Sequence, residues 1–240
     1  MPSSATLKKI NAVSGLGFAV FVLLHFLSHY ALNLSYEQAT ETMLAMRIIY
    51  QNPVFEVLLL CCLLAHMYSN AGLYMARSKL ASTKKDDDAA KKKKQPLPGL
   101  TELNAHRYAG YALAVFIFGH VFAVRIAPLL FLPEDPGAYD YSFVAKVYEL
   151  VPFYIFPIYL SIFGMVGGWH TIYGVRSAIA TLSGKSVVGK PFPLPLKIVA
   201  LLSHALVIGA LISLEGYRTT VDMSEKAELH DKLNAAMGIH

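Results

Sequence analysis

The sequence predicts an all-α fold, a polytopic membrane bundle of five transmembrane helices, and three observations predict it. Hydrophobic residues fill 55% of the 240 positions and charged residues only 15%, against about a quarter in soluble domains. The apolar residues gather in five stretches of about 20, enough to cross a hydrocarbon core ~30 Å thick at a rise of 1.5 Å per residue. Short segments between them hold nearly all the ionisable groups. Backbone polar groups cannot go unpaired in lipid, so these stretches are expected as helices.

The spans are expected at 10–32, 53–76, 108–130, 153–175 and 196–214. Pro152 and Pro195 suit helix starts, where a missing N–H costs little, and Pro157 is expected to kink the fourth span. Residues 1–214 form one bundle, 82–94 (STKKDDDAAKKKK) a disordered loop of low complexity, and 215–240 an amphipathic or partly disordered tail. No secretory signal or transit peptide is read ahead of the first span. Cys61 and Cys62 are neighbours in a helix, point about 100° apart and do not bridge each other.

Lys and Arg set the expected direction. The net charge is +5, and most basic residues fall on one side of the alternating spans. These are Lys8 and Lys9, the second-to-third connection from Arg77 through Lys91 to Lys94 to Arg107, and the fourth-to-fifth connection with Arg176, Lys185, Lys190 and Lys197. Glu37, Glu41, Glu134, Asp135, Asp140 and Glu149 gather on the other. By the positive-inside rule the N-terminus faces the cytoplasm or its topological equivalent. The charge is thus spent on topology and on contact with membrane lipids, not on nucleic acid.

Ionisable side chains at membrane depth are expensive and ask for a reason. The spans carry His25 and His29, then His66, His120, His170 and His204, in order. One such histidine is ordinarily a packing residue; four successive helices each offering one suggest a cofactor frame. Counted from the basic side, His25 lies roughly 22 Å deep, His120 roughly 18 Å, His66 roughly 16 Å and His170 roughly 9 Å. Equal heights pair His25 with His120 and His66 with His170, the second pair with a mismatch of roughly 7 Å. Paired neutral imidazoles saturate a haem iron and leave it no open position, which suits electron transfer. No Cys-x-x-Cys-His is present, so the haem would be held non-covalently. His29 rivals His25, and His204 rivals His170. Arg125 and Arg176 fit either a haem propionate or an interface anchor. Glu56 fits either a proton acceptor for a quinol or a side chain reaching water. Glycines in the ligand-bearing spans, Gly164 and Gly168 among them, fit either a flat macrocycle or close helix packing.

The spans SGLGFAVFVLLHFLSHYALN (with His25), FEVLLLCCLLAHMYSNAGLY (with His66), HRYAGYALAVFIFGHVFAVRIA (with Arg107, Gly110, His120 and Arg125) and GGWHTIYGVRSA (with His170) resemble the di-haem cytochrome b membrane anchor of succinate dehydrogenases and fumarate reductases in its single-subunit, five-helix form. The resemblance covers roughly residues 7–214. It implies two b haems, one held by the first and third helices and one by the second and fourth. It also implies a bound quinone, and soluble flavoprotein and iron–sulfur partners docked on the basic side. RIIYQNPVFEVLLL and RIAPLL look closer to a mitochondrial branch, which includes fungal outer-membrane adaptors for lipid homeostasis that recruit a lipid-transfer protein through Pro-x-Pro. Pro96-Leu97-Pro98 and the run Pro191-Phe192-Pro193-Leu194-Pro195 match that pattern. The expectation is therefore an electron-transfer anchor, with a lipid-homeostasis adaptor as the alternative, in a mitochondrial rather than a bacterial inner membrane. The chain itself has neither a Gly-x-Gly-x-x-Gly flavin fingerprint nor a cysteine set for a cluster, so it is at most one subunit of an oxidoreductase.

Overall fold

The computed structural model describes residues 2–88, 101–134, 139–150, 155–188, 190–216, 224 and 227–236. Their regular structure is entirely helical. Five helices are long and apolar enough to cross a membrane: Ser4–Asn33, Pro53–Lys79, Glu102–Phe131, Ile155–Leu182 and Leu194–Leu214. The chain is an all-α, multi-pass membrane bundle.

Several helices begin where the sequence supplies a cap. Ser3 accepts the Thr6 N–H at 3.1 Å and opens α1 (Ser4–Tyr30). Ser35 opens α2 (Tyr36–Tyr50) through the Gln38 N–H, and Thr101 opens α4 (Glu102–Val121) through the Asn104 N–H. Such caps satisfy one of the four free amides of a first turn. Capped starts carry α1 and α4 several residues beyond their apolar stretches. α3 (Pro53–Asp88) runs well past its span, so residues 82–88, expected as disordered loop, are helical. Only Lys84 and Lys85 among them are good helix formers, but extending an existing helix is cheap. The rest of that loop and Pro96-Leu97-Pro98 lie outside the described residues, as does Pro152.

α4 passes through a π-helical turn (Phe122–Ile126) into α5 (Ala127–Phe131). The acidic end carries α6 (Tyr141–Leu150) and α9 (Ala227–Ala236), and the last two spans are α7 (Ile155–Leu182) and α8 (Leu194–Leu214). Pro157, expected as a kink, sits in the first described turn of α7. Pro195 occupies the first turn of α8 as expected.

α1 is the central helix, packed on α3, α7, α2 and α8, while α4 packs on α7. The contacts are made by small residues: Ala12, Ser14, Ala19 and Ser28 on α1, Gly168 and Ala178 on α7, Ala200, Ser203 and Ala210 on α8. Large apolar side chains turn outward, as with Val115 at 72% exposure and Leu201 at 68%. Lipid is as apolar as leucine, so close backbone approach and polar bonds, not apolar burial, hold such helices together. A Cβ on Gly164 would meet Val207 Cγ1 at 2.7 Å, and one on Gly168 would meet Ser203 Oγ at 2.8 Å. Of the two roles open to this pair, the structure shows helix packing of α7 on α8. Tyr30 bonds Ser203 Oγ at 2.7 Å and Asn33 donates to Leu206 O at 2.9 Å, tying the first span to α8.

The acidic end is covered. Ala39 and Met43 of α2 meet Leu32, Tyr141 and Leu214 in an apolar cluster. Asp140 Oδ1 accepts from the Ser142 amide at 2.9 Å and hydroxyl at 2.6 Å, and Ser142 Oγ bonds His230 Nε2 of α9 at 2.9 Å. Tyr36 donates to Asp140 Oδ2 at 3.3 Å, and burial followed by that carboxylate pushes its phenol up to about 12, so it stays a donor. Part of the expected tail is thus a packed helix, with His230 only 2% exposed. The sequence hid this because α9 is short and polar.

Gly164→Leu is expected to lower unfolding stability in detergent micelles by about 1–3 kcal/mol through overpacking. Gly119→Ala, where nothing lies within 4 Å of the new Cβ, should be neutral or gain up to ~1 kcal/mol of helix propensity.

Candidate functional site: two histidine pairs

Four of the seven span histidines, His25, His66, His120 and His170, meet as pairs across different helices. His25 of α1 faces His120 of α4 with ring centroids 5.9 Å apart and planes at 70°. His66 of α3 faces His170 of α7 at 6.1 Å and 88°. The height mismatch expected for the second pair disappears because α7 continues as helix beyond Arg176 to Leu182. Counted from there, His170 lies roughly 18 Å deep.

The second pair is oriented by backbone. His66 Nδ1 lies 3.3 Å from Asn11 O, and His170 Nδ1 lies 3.1 Å from His106 O. A carbonyl only accepts, so Nδ1 carries the proton in both rings, and in neutral imidazole that leaves the lone pair on Nε2. A bond from the far ring nitrogen to a carbonyl is the usual way a protein orients a metal-ligating histidine. Glycine makes both approaches possible. A Cβ on Gly15 would stand 3.1 Å from His66 Nδ1, and one on Gly110 would stand 2.9 Å from His170 Cε1.

These contacts expose a repeat that composition does not show. Asn11, Gly15 and His25 on α1 have the same spacing as His106, Gly110 and His120 on α4. In each helix the first residue supplies the carbonyl, the second the clearance, and the third a ring of the first pair. α1 with α3 and α4 with α7 are two copies of one arrangement.

The first pair is held differently. His25 Nε2 lies 3.0 Å from His29 Nε2, and His29 Nδ1 lies 3.2 Å from Tyr141 OH. Phe21 stacks on His25 at 5.4 Å, and Phe163 lies against His120 at 4.9 Å. It is His25 whose ring faces His120, while His29 is a hydrogen-bonded neighbour braced by Tyr141. His204 is not part of either pair. Its Nε2 donates to Met165 O at 3.0 Å and staples α8 to α7.

The arginines are both engaged. Arg125, on the π-helical turn, makes a two-point ion pair with Glu56, Nε to Oε1 at 2.6 Å and Nη2 to Oε2 at 3.0 Å. The pair joins α3 to the end of the third span. Arg176 donates from Nη2 to Pro191 O at 3.0 Å and lies over the Phe192 ring. Phe192 is 2% exposed, stacked near Tyr173, with Trp169 beside both. In this same region Arg176 Nη1, Trp169 Nε1 and His106 Nδ1 are buried without a hydrogen-bond partner among the described residues. The His106 ring stacks on His170 at 4.2 Å and on Tyr173 at 4.7 Å.

The donor set fits two haems. Two axial imidazoles with metal–nitrogen bonds of about 2 Å place ring centroids about 6 Å apart, and both pairs have that separation. The second pair also presents two Nε2 lone pairs. The first would exchange the His25–His29 bond for a metal bond. Buried donors without partners, led by Arg176 Nη1, suit the carboxylate edge of a haem.

Sequence reading missed His106, Asn11 and Tyr141. The shared spacing of Asn11, Gly15 and His25 with His106, Gly110 and His120 was the signal that would have found the first two. Comparisons with protein-family models, curated proteins and solved structures return no match to this chain.

Nitrogen NMR of histidine-labelled protein should show His66 and His170 as Nδ1–H tautomers. Gly110→Val should move the His170 signal and leave His66 in place; an unchanged His170 signal would break the link between glycine clearance and ring position. A double-mutant cycle on Glu56 and Arg125 should return a coupling of about 1 kcal/mol or more, given the two-point geometry and partial exposure.

Proposed function

We propose that the protein is a membrane cytochrome of the b type, with His25 and His120 as axial ligands of one haem and His66 and His170 of the other. The observation that carries this reading is the pairing itself: two ring pairs from four helices at one common separation, with the Nδ1 protons of His66 and His170 turned to carbonyls. Bound haem supplies a one-electron carrier with no open coordination position. The chain's own residues do the rest. Asn11 and His106 fix two imidazole tautomers through their carbonyls, and Gly15 and Gly110 let the rings approach. Arg176 and Trp169 offer donors to carboxylates at the basic end. The resemblance to di-haem anchors extends the proposal to quinone-linked electron transfer with flavoprotein and iron–sulfur subunits on the basic side.

One observation favours the second reading, a mitochondrial adaptor in lipid homeostasis that retains the haem frame. Pro191, Pro193 and Leu194 are exposed around the buried anchor Phe192, and Pro193 has extended angles of −59° and 141°. This is the shape in which proline-rich segments are recognised. Partners that purify with the protein separate the readings: flavin and iron–sulfur proteins for the anchor, a lipid-transfer protein for the adaptor.

Protein purified in mild detergent should carry two b-type haems by reduced-minus-oxidised difference spectroscopy. His120→Ala should lose one and keep the other, His170→Ala should lose the other, and His204→Ala should keep both. A His120→Ala variant with full haem content would remove the first pair from the proposal.

A further inference from the structure

The basic end holds a feature that the histidine pairs do not use. Arg77 of α3 and Arg107 of α4 lie about one turn beyond Tyr74 and Tyr111, whose ring contact brings the two helices together. Arg77 Nε donates to Leu73 O of its own helix at 3.0 Å, and Arg107 Nη1 donates to Asn104 Oδ1 at 3.3 Å. Among the described residues no carboxylate forms an ion pair with either. One turn toward the bundle, Tyr74 and Tyr111 meet edge to face at 6.3 Å across the two helices, and Tyr108 lies 6.5 Å from Tyr111. All three tyrosines are more than half exposed. α3 packs on α1 and α4 on α7, and the contact of Tyr74 with Tyr111 joins the two arginine-bearing helices at this level.

Two like charges carried to one place by separate helices cost free energy unless an anion stands between them. Guanidinium groups match phosphate oxygens in geometry as well as charge. Tyrosines clustered at a span end mark the headgroup level, and the anion present at that level in every bilayer is a lipid phosphate. Basic pockets between transmembrane helices bind anionic headgroups for this reason.

We propose that Arg77 and Arg107 clamp the phosphate of one anionic phospholipid, with Tyr74, Tyr108 and Tyr111 as its headgroup-level wall and its acyl chains on the exposed apolar faces of α3 and α4. The proposal does not rest on the haem reading.

The test uses the full chain in detergent and in nanodiscs, with dioleoyl phosphatidylglycerol as probe and dioleoyl phosphatidylcholine as its neutral counterpart, read by native mass spectrometry. The expected result is one retained phosphatidylglycerol per chain, with phosphatidylcholine lost on mild activation. Arg77→Gln with Arg107→Gln should weaken retention about thirtyfold, from about 1 kcal/mol per cation at the surface. Lys8→Gln with Lys9→Gln should leave it unchanged. Arg77→Lys with Arg107→Lys keeps the charge and should retain most of the lipid, which covers the case of a misfolded glutamine variant. Equal retention of both lipids, or full retention in the glutamine variant, overturns the proposal. Displacement by millimolar inorganic phosphate overturns it in favour of a free-anion site. Loss of haem with lipid retained in the glutamine variant overturns it in favour of haem carboxylates.

Discussion

A histidine at membrane depth must find a partner for its ring N–H inside the protein, and in this bundle His66 and His170 take theirs from the backbone of a neighbouring helix. Much of the arrangement depends on those two bonds. They draw α3 against α1 and α7 against α4, they need glycine at Gly15 and Gly110 to close the distance, and they set which ring nitrogen keeps a lone pair. An unpaired polar group in hydrocarbon is costly, so the histidines choose their helix partners as firmly as apolar contacts do in a soluble core. Packing and chemistry are here the same interaction.

The two bonds also explain why the bundle reads as two copies. Asn11 and His106 have unrelated side chains, yet both act through a carbonyl four residues ahead of a glycine. A repeat carried by backbone leaves little trace in side-chain identity. The copies differ where their surroundings differ. Near the acidic end His29 and Tyr141 brace His25, while near the basic end Phe192 and Arg176 close the bundle over His106 and Tyr173. Three donors at that basic closure lack partners among the described residues, and the second pair stands beside them.

The spans, their order and the pairing of His25 with His120 and His66 with His170 were legible, because hydropathy sets where helices run and rise per residue sets depth. Depth could not rank His204 below His170, since both lie at similar height; only the bond from His204 to Met165 shows that it is a staple. Arg125 and Glu56 each admitted a role alone, and their ion pair depends on a π-helical turn that no periodicity announces. The packed α9 was hidden in the same way, since the buried bond from Ser142 to His230 holds it beside an apolar contact of Leu229 with Leu132, Tyr139 and Phe143.

If each ring pair holds one haem iron as proposed, its two imidazoles would be crossed, as the ring planes are at 70° in one pair and 88° in the other. Low-temperature electron paramagnetic resonance of the oxidised, haem-loaded protein tests it most directly, because crossed axial imidazoles give ferric haem a strongly anisotropic low-spin signal. The account predicts two such signals and no high-spin ferric haem. A high-spin signal with an open axial position, or low-spin signals of coplanar imidazoles, would contradict it.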